Sequence, residues 1–112
     1  MSNRKVPEPI KELTDEFVSR IAQIYGDRLN KVILFGSYAR GDFNEDSDID
    51  YLVVLNDEDV NSYEEIDFLS TETFEISLKY LMSVSAIPVS KERLDHYRSP
   101  LLRNVQEDGI LL

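Results

Sequence analysis

Between two short apolar runs this chain carries Gly36-Ser37, ten further residues, and then Asp48-Ile49-Asp50. The first run, Lys31 to Phe35, is rich in β-branched and apolar residues and stops at Gly36, so it reads as a buried strand ending in a tight turn. The run Ile49 to Leu55 reads as a second strand. Gly36 lacks a Cβ, which suits a place where backbone must bend or approach a ligand closely. Ser37 stands where an N-cap belongs, and Tyr38-Ala39-Arg40 can form one helical turn before Gly41 stops it. The N–H groups that open a helix have no partner within it and favour an anion, so strand, turn and helix start together make a seat for phosphate.

The aspartates supply the complement. Side chains alternate along a strand, so Asp48 and Asp50 project to one side while Ile49 points into apolar packing. Two carboxylates that close repel each other unless a cation lies between them. Hard oxygen ligands that leave room for water and phosphate oxygens are the kind Mg²⁺ prefers. Two rival motifs fail on their own residues. A P-loop would need Lys and Ser or Thr after Gly41, where Asp42 and Phe43 stand. An EF-hand loop begun at Asp42 would need Gly at Ser47 and Glu at Val53. A plain solvated acidic turn accounts for a lone Asp-x-Asp, but not for its fixed distance from a Gly-Ser turn with strands on both sides.

Gly36-Ser37, ten residues, then Asp48-x-Asp50 resembles the signature of the DNA polymerase β-type nucleotidyltransferase superfamily, and the short chain resembles its minimal nucleotidyltransferase branch, the antitoxin partners of helical HEPN proteins. The diagnostic part covers about twenty residues, roughly Val32 to Leu55. The resemblance implies that Gly36 and Ser37 bind the β- and γ-phosphates of a nucleoside triphosphate, ATP or another. It implies that Asp48 and Asp50 are catalytic and hold one or two Mg²⁺ ions. It also implies transfer of a nucleoside monophosphate to a hydroxyl, in the antitoxin version a tyrosine of the HEPN toxin. Arg40 is a candidate phosphate contact, with pairing to Asp42 or Asp46 as the competing use, and Tyr38 is expected to pack. Family members that transfer nucleotides carry a third acidic residue on a later strand. The matching strand, Ser83 to Val89, has none, and the nearest acids are Glu75 and Glu92. Three readings stay open: Glu75 reaches the site, the nucleophile loses its proton without a base, or the domain is catalytically weak and neutralises a toxin by binding alone. Transfer to a small molecule would need a substrate region that the chain scarcely supplies, unless a dimer built the pocket.

Composition bounds the partners. Twelve Lys and Arg against 22 Asp and Glu give a net charge of -10, which disfavours extended nucleic acid and favours a protein with a basic face. There is no cysteine, hence no disulfide or thiolate metal site. Met1 to Pro9 has no apolar core of a secretory signal, and no apolar run is long enough to span a bilayer, so a cytoplasmic location without membrane contact is expected. His96 has no companion ligand and reads as a surface residue.

The remaining pattern predicts a single α/β domain over 1–112, a small mixed sheet of at least three strands flanked by helices; the polymerase β-like nucleotidyltransferase fold and its strand order are what the resemblance implies. Ile10, Leu13, Phe17, Ile21 and Ile24 step by three or four along a helix that Gly26 ends. Ser62-x-x-Glu65 suggests a capping box for a second helix, with Ile66, Leu69, Thr73, Ile76 and Tyr80 as its core stripe. Pro88 suggests an edge or strand end for the third strand, and Ser99-Pro100 an N-cap and first position of a last helix stopped by Gly109. The tail Ile110-Leu111-Leu112 is expected to fold back on the core, with an oligomer or partner interface as its other use.

Overall fold

The computed structural model describes residues 1–112. The elements run α1 (Lys11–Tyr25), β1 (Leu29–Phe35), α2 (Ser37–Arg40), β2 (Ile49–Leu55), α3 (Ser62–Tyr80), β3 (Val84–Ser90), α4 (Lys91–His96), α5 (Pro100–Asp108) and β4 (Ile110–Leu111). The four strands form one sheet in the order β3-β2-β1-β4. β1 is antiparallel to β2 and β4, and β2 is parallel to β3 with α3 as the crossover that a parallel pair requires. The mixed sheet flanked by helices is the expected fold class.

Each strand sends alternate residues to opposite faces, and the two faces build separate cores. On one face Val32, Leu34, Tyr51 and Val53 meet Leu13, Phe17 and Ile21 of α1 and Leu69 and Ile76 of α3. Phe17 stacks on Tyr51 at 4.2 Å between ring centroids, and the Tyr51 phenol meets the Thr14 hydroxyl at 2.6 Å, so a buried polar tip is satisfied. On the other face Ile33, Phe35, Leu52 and Val54 meet Val89, Leu94 of α4 and Leu102 and Val105 of α5. This second core is smaller, and on β2 it ends at Leu52, one alternation step before Asp50.

Several local expectations shift. The α3 cap is Asn61, whose side chain accepts from Glu64 N–H, and Ser62 is the first helical residue. The α2 cap is Gly36, and Ser37 is already inside the turn. Ile66 does not join the core; it is exposed, while Leu69 and Ile76 are buried. The third strand lies one residue later than expected. Pro88 does mark an edge strand, and Ser99 caps α5 with Pro100 following it. The tail returns to the sheet: Ile110 and Leu111 pair with Leu34 and Ile33 as β4, and Ile110 is buried. No helix is long and apolar enough to cross a membrane.

Candidate active site

Asp50 is the second residue of β2 and lies opposite Phe35 of β1 and Ser85 of β3. Its face is that of Leu52 and Val54, but at its end of the strand the apolar cover stops, and the carboxylate takes the place of another core residue. The turn after β1 closes against it. A Cβ built on Gly36 would lie 2.5 Å from Asp50 Oδ2, so only glycine leaves room for the carboxylate there. Gly36 also holds φ at +78°, in the left-handed region. The motif's two halves, separated by ten residues in the chain, are thus in contact across β1 and β2.

Asp48 precedes β2 and is exposed, one alternation step from Asp50. Burial raises the Asp50 carboxyl above the usual aspartate range, the Asp48 charge raises it further, and Arg40 acts in the opposite direction. A half-buried carboxylate whose ionisation a neighbouring carboxylate opposes fits a divalent cation better than it fits water alone. The structure therefore brings together Gly36, Asp48 and Asp50, with Arg40 within electrostatic reach.

Gly36 carbonyl oxygen accepts from the N–H groups of Ala39 at 3.1 Å and Arg40 at 3.0 Å, and Ser37 carbonyl oxygen from Gly41 at 2.9 Å and Asp42 at 3.2 Å. Those bonds leave Ser37 and Tyr38 N–H as the opening donors, without acceptors inside the turn. α2 is a single turn, so it sums few peptide dipoles; a phosphate here would be held by N–H groups, with little macrodipole behind them. Arg40 Nε donates to Asp42 Oδ2 at 3.2 Å on the surface, the competing use foreseen for it. Tyr38 is buried and stacks on Phe43 at 4.4 Å, a packing residue. The loop into β2 is ordered by Asn44, whose Oδ1 accepts from Asp46 N–H, and by Ser47, whose Oγ accepts from Asn44 N–H. The turn at Asn44 sets where Asp48 enters the strand.

No third carboxylate joins the pair, and no cluster of three metal-ligating side chains exists. Glu75 lies on the α1 side of the sheet, where Arg20 binds it at 2.5 Å together with Glu72, so it does not reach Asp50. Glu92 lines a cavity of about 630 Å³ with Leu52, Ile87, Arg93 and Tyr97, beyond the apolar floor rather than beside the aspartates. Ser85 is the side chain that register sets beside Asp50 on the same face. Sequence alone marks the strand but not the pairing, so Ser85 becomes visible only with the sheet in place.

Residues 14–111 match the nucleotidyltransferase domain family. Two proteins of Methanocaldococcus jannaschii, each named "Putative protein adenylyltransferase", are similar: MJ0604 is 40% identical over 87% of this chain and 91% of its own length, and MJ0141 is 39% identical over 73% and 81%. Among solved structures, a toxin-antitoxin complex with AMP-PNP superposes with a TM-score of 0.61 at 20% identity, over 87% of this chain and 70% of that one. A nucleotidyltransferase-fold protein from Sulfolobus solfataricus gives 0.57 at 23% identity, over 98% and 90%. Those structural likenesses carry the fold; the family match and the closer sequence relatives carry the rest. The chain belongs to the nucleotidyltransferase domain family and is a nucleotidyltransferase.

Proposed function

We propose that this protein transfers AMP from ATP to a hydroxyl of a protein partner, and that the partner is a toxin which the modification silences. The observation that carries the reading is the contact between Gly36 and Asp50, which sets that carboxylate against a turn whose opening N–H groups have no acceptor inside it. Asp48 and Asp50 would hold Mg²⁺, and Ser37 and Tyr38 N–H, with the Ser37 hydroxyl, would bind the outer phosphates. Bound there, Mg²⁺ supplies positive charge that offsets the triphosphate's charge as it redistributes. The side chains and backbone orient the triphosphate so that the acceptor oxygen forms a bond to the α-phosphorus while the bond from that phosphorus to the bridging α,β-oxygen breaks. Pyrophosphate leaves, and the hydroxyl proton passes to water, since no chain carboxylate other than the pair lies at the site. The relatives named for protein adenylylation support a protein acceptor, and the toxin-antitoxin neighbours, one with AMP-PNP, support both donor and partner. A tyrosine of a HEPN-type toxin is the acceptor that the resemblance favours.

Incubating the chain with labelled ATP, Mg²⁺ and the product of the adjacent gene should label that product. Asp48→Asn with Asp50→Asn should lower labelling by at least about a thousandfold, the scale of removing preorganised charge stabilisation; label persisting in the double variant refutes the assignment. Ser85 in place of an acid keeps a second reading in view, a module that neutralises its toxin by binding alone. In that case the double variant neutralises the toxin at the same stoichiometry, with no label transferred by either form.

A further inference from the structure

The outer face of α3 carries more exposed apolar surface than any other element, and nothing in the chain covers it. Tyr63 is 89% exposed, Phe74 64% and Leu78 58%, with Ile66 beside them. At 100° per residue these four fall within an arc of about 120°, roughly a third of a turn from the buried Leu69 and Ile76. Leu81, just past the helix, extends the ridge, so that it runs about 27 Å from Tyr63. The apolar side chains stand in two groups, Tyr63 with Ile66 and Phe74 with Leu78 and Leu81, with the exposed Asp67 and Ser70 between them, and apolar surface gathered on a water-exposed helix in this way marks a contact site.

Leu81 adds an independent observation. It is 87% exposed and holds φ at +55°, the only residue other than glycine with a positive φ in the chain. The position after a helix commonly takes this left-handed conformation, and glycine or asparagine is the residue that suits it. A leucine there is strained and also puts its side chain into water. The exposure penalty disappears only if something outside the chain receives that side chain, and the gain from that contact offsets the backbone strain.

The flanks say what that something is. Glu64 borders the ridge and Asp67 lies within it, both exposed, whereas Glu65, Glu72 and Glu75 on the α1 side are bound by Arg28 and Arg20. With a net charge of -10, a second copy would bring like charges together, while a partner with Lys and Arg beside its apolar residues would pair them. On the other flank lies the edge strand β3, and it is a poor template for strand addition. Ile49 N–H donates to Ser83 carbonyl, so the alternate residues Val84, Ala86 and Pro88 turn their backbone groups to the open edge. Of these, Val84 N–H is taken by Ser77 Oγ at 3.2 Å and Pro88 has no N–H.

We infer that the outer face of α3, from Tyr63 to Leu81, docks a protein partner whose own apolar residues are bordered by Lys and Arg. The inference rests on the protein-partner half of the proposed function and locates it on the far side of the sheet from Asp50. The test is a titration of the full chain with a fluorescent amphipathic helical peptide of the length of α3, one version with Lys and Arg beside a leucine face, the other with Glu. The basic peptide should bind at least tenfold more tightly than the acidic one. Phe74→Ser with Leu78→Ser, which leaves every charge in place, should weaken that binding at least tenfold, and unchanged binding overturns the inference as mere charge attraction. Leu81→Gly should raise the thermal midpoint of the isolated chain and weaken the peptide; a raised midpoint with full binding removes Leu81 from the site. Sedimentation of a dimer that the Phe74/Leu78 variant abolishes would show a second copy as the occupant and overturn the choice of partner. Asp48→Asn with Asp50→Asn should leave the titration unchanged, so loss of nucleotide binding and loss of docking are separable results.

Discussion

The two faces of the sheet are built from the same four strands and end differently. On the α1 and α3 side, apolar residues run the length of β2 from Ile49 to Leu55, and even the polar tips of Tyr51 and Thr14 satisfy each other. On the α4 and α5 side the same alternation runs Val54, Leu52 and then Asp50, where apolar cover gives way to a half-buried carboxylate against Gly36. One face is closed by packing, and the other is left open at the end where charge gathers. The difference teaches that stability and chemistry are divided by face: substitutions on the first should move the unfolding midpoint, and substitutions at the end of the second should move ligand binding.

Phe17→Ala is the strongest test of the closed face. Phe17 is fully buried and stacked on Tyr51, so truncation should cost about 3–5 kcal/mol, a large share of the roughly 5–15 kcal/mol that holds a domain of this kind together. Thermal or urea unfolding measures the loss. At temperatures where the variant stays folded, its affinity for ATP with Mg²⁺ should match that of the unchanged chain. If the affinity falls along with stability, the division between the faces is wrong.

Gly36→Ala tests the boundary between them. The new methyl group meets Asp50 Oδ2, and an L residue at φ +78° is strained, so about 1–3 kcal/mol of stability should be lost. The effect on ATP binding should be larger than that figure alone implies, because relief of the clash must displace either the carboxylate or the turn. Isothermal titration of both variants sharpens the contrast: Phe17→Ala is stability without affinity, and Gly36→Ala is affinity beyond stability.

What could be read from the sequence follows the same line. Phe17 and Ile21 announce their face because a helix repeats its burial every three or four residues. Gly36, Asp48 and Asp50 announce theirs because a turn and an alternation at fixed separation mean little except as a site. Ile66 departs from the expected stripe because α3 is apolar on two sides, and periodicity does not say which stripe the sheet takes. The Asn61 cap is hidden in the sequence because Ser62 offers the same chemistry one residue later. β4 has two residues and no period of its own; it exists because β1 has a free edge for Ile110 and Leu111. Ser85 and the Glu75–Arg20 pair depend on register and on helix packing, which are properties of the assembled chain.

Asp50→Asn carries the smallest effect on the fold and the most direct view of the open face. Burial and then Asp48 hold the Asp50 carboxyl above its ordinary value, so the folded chain binds that proton more tightly than the unfolded chain does. The group's contribution is therefore fully present below the unfolded aspartate value and is lost as pH rises through the raised one. At neutral pH, without metal, the charge works against the fold, and Asp50→Asn should raise the thermal midpoint of a chelator-treated sample. As pH falls towards the ordinary aspartate range the unchanged chain gains its own proton, and the difference between the two should shrink. Mg²⁺ should reverse the order at neutral pH, raising the midpoint of the unchanged chain and leaving the variant where it was, because only the ionised pair gains from a cation. A variant no more stable than the parent under chelation would mean that water already satisfies Asp50 as well as a metal would, and the open end of the sheet would be a solvated surface instead of a site.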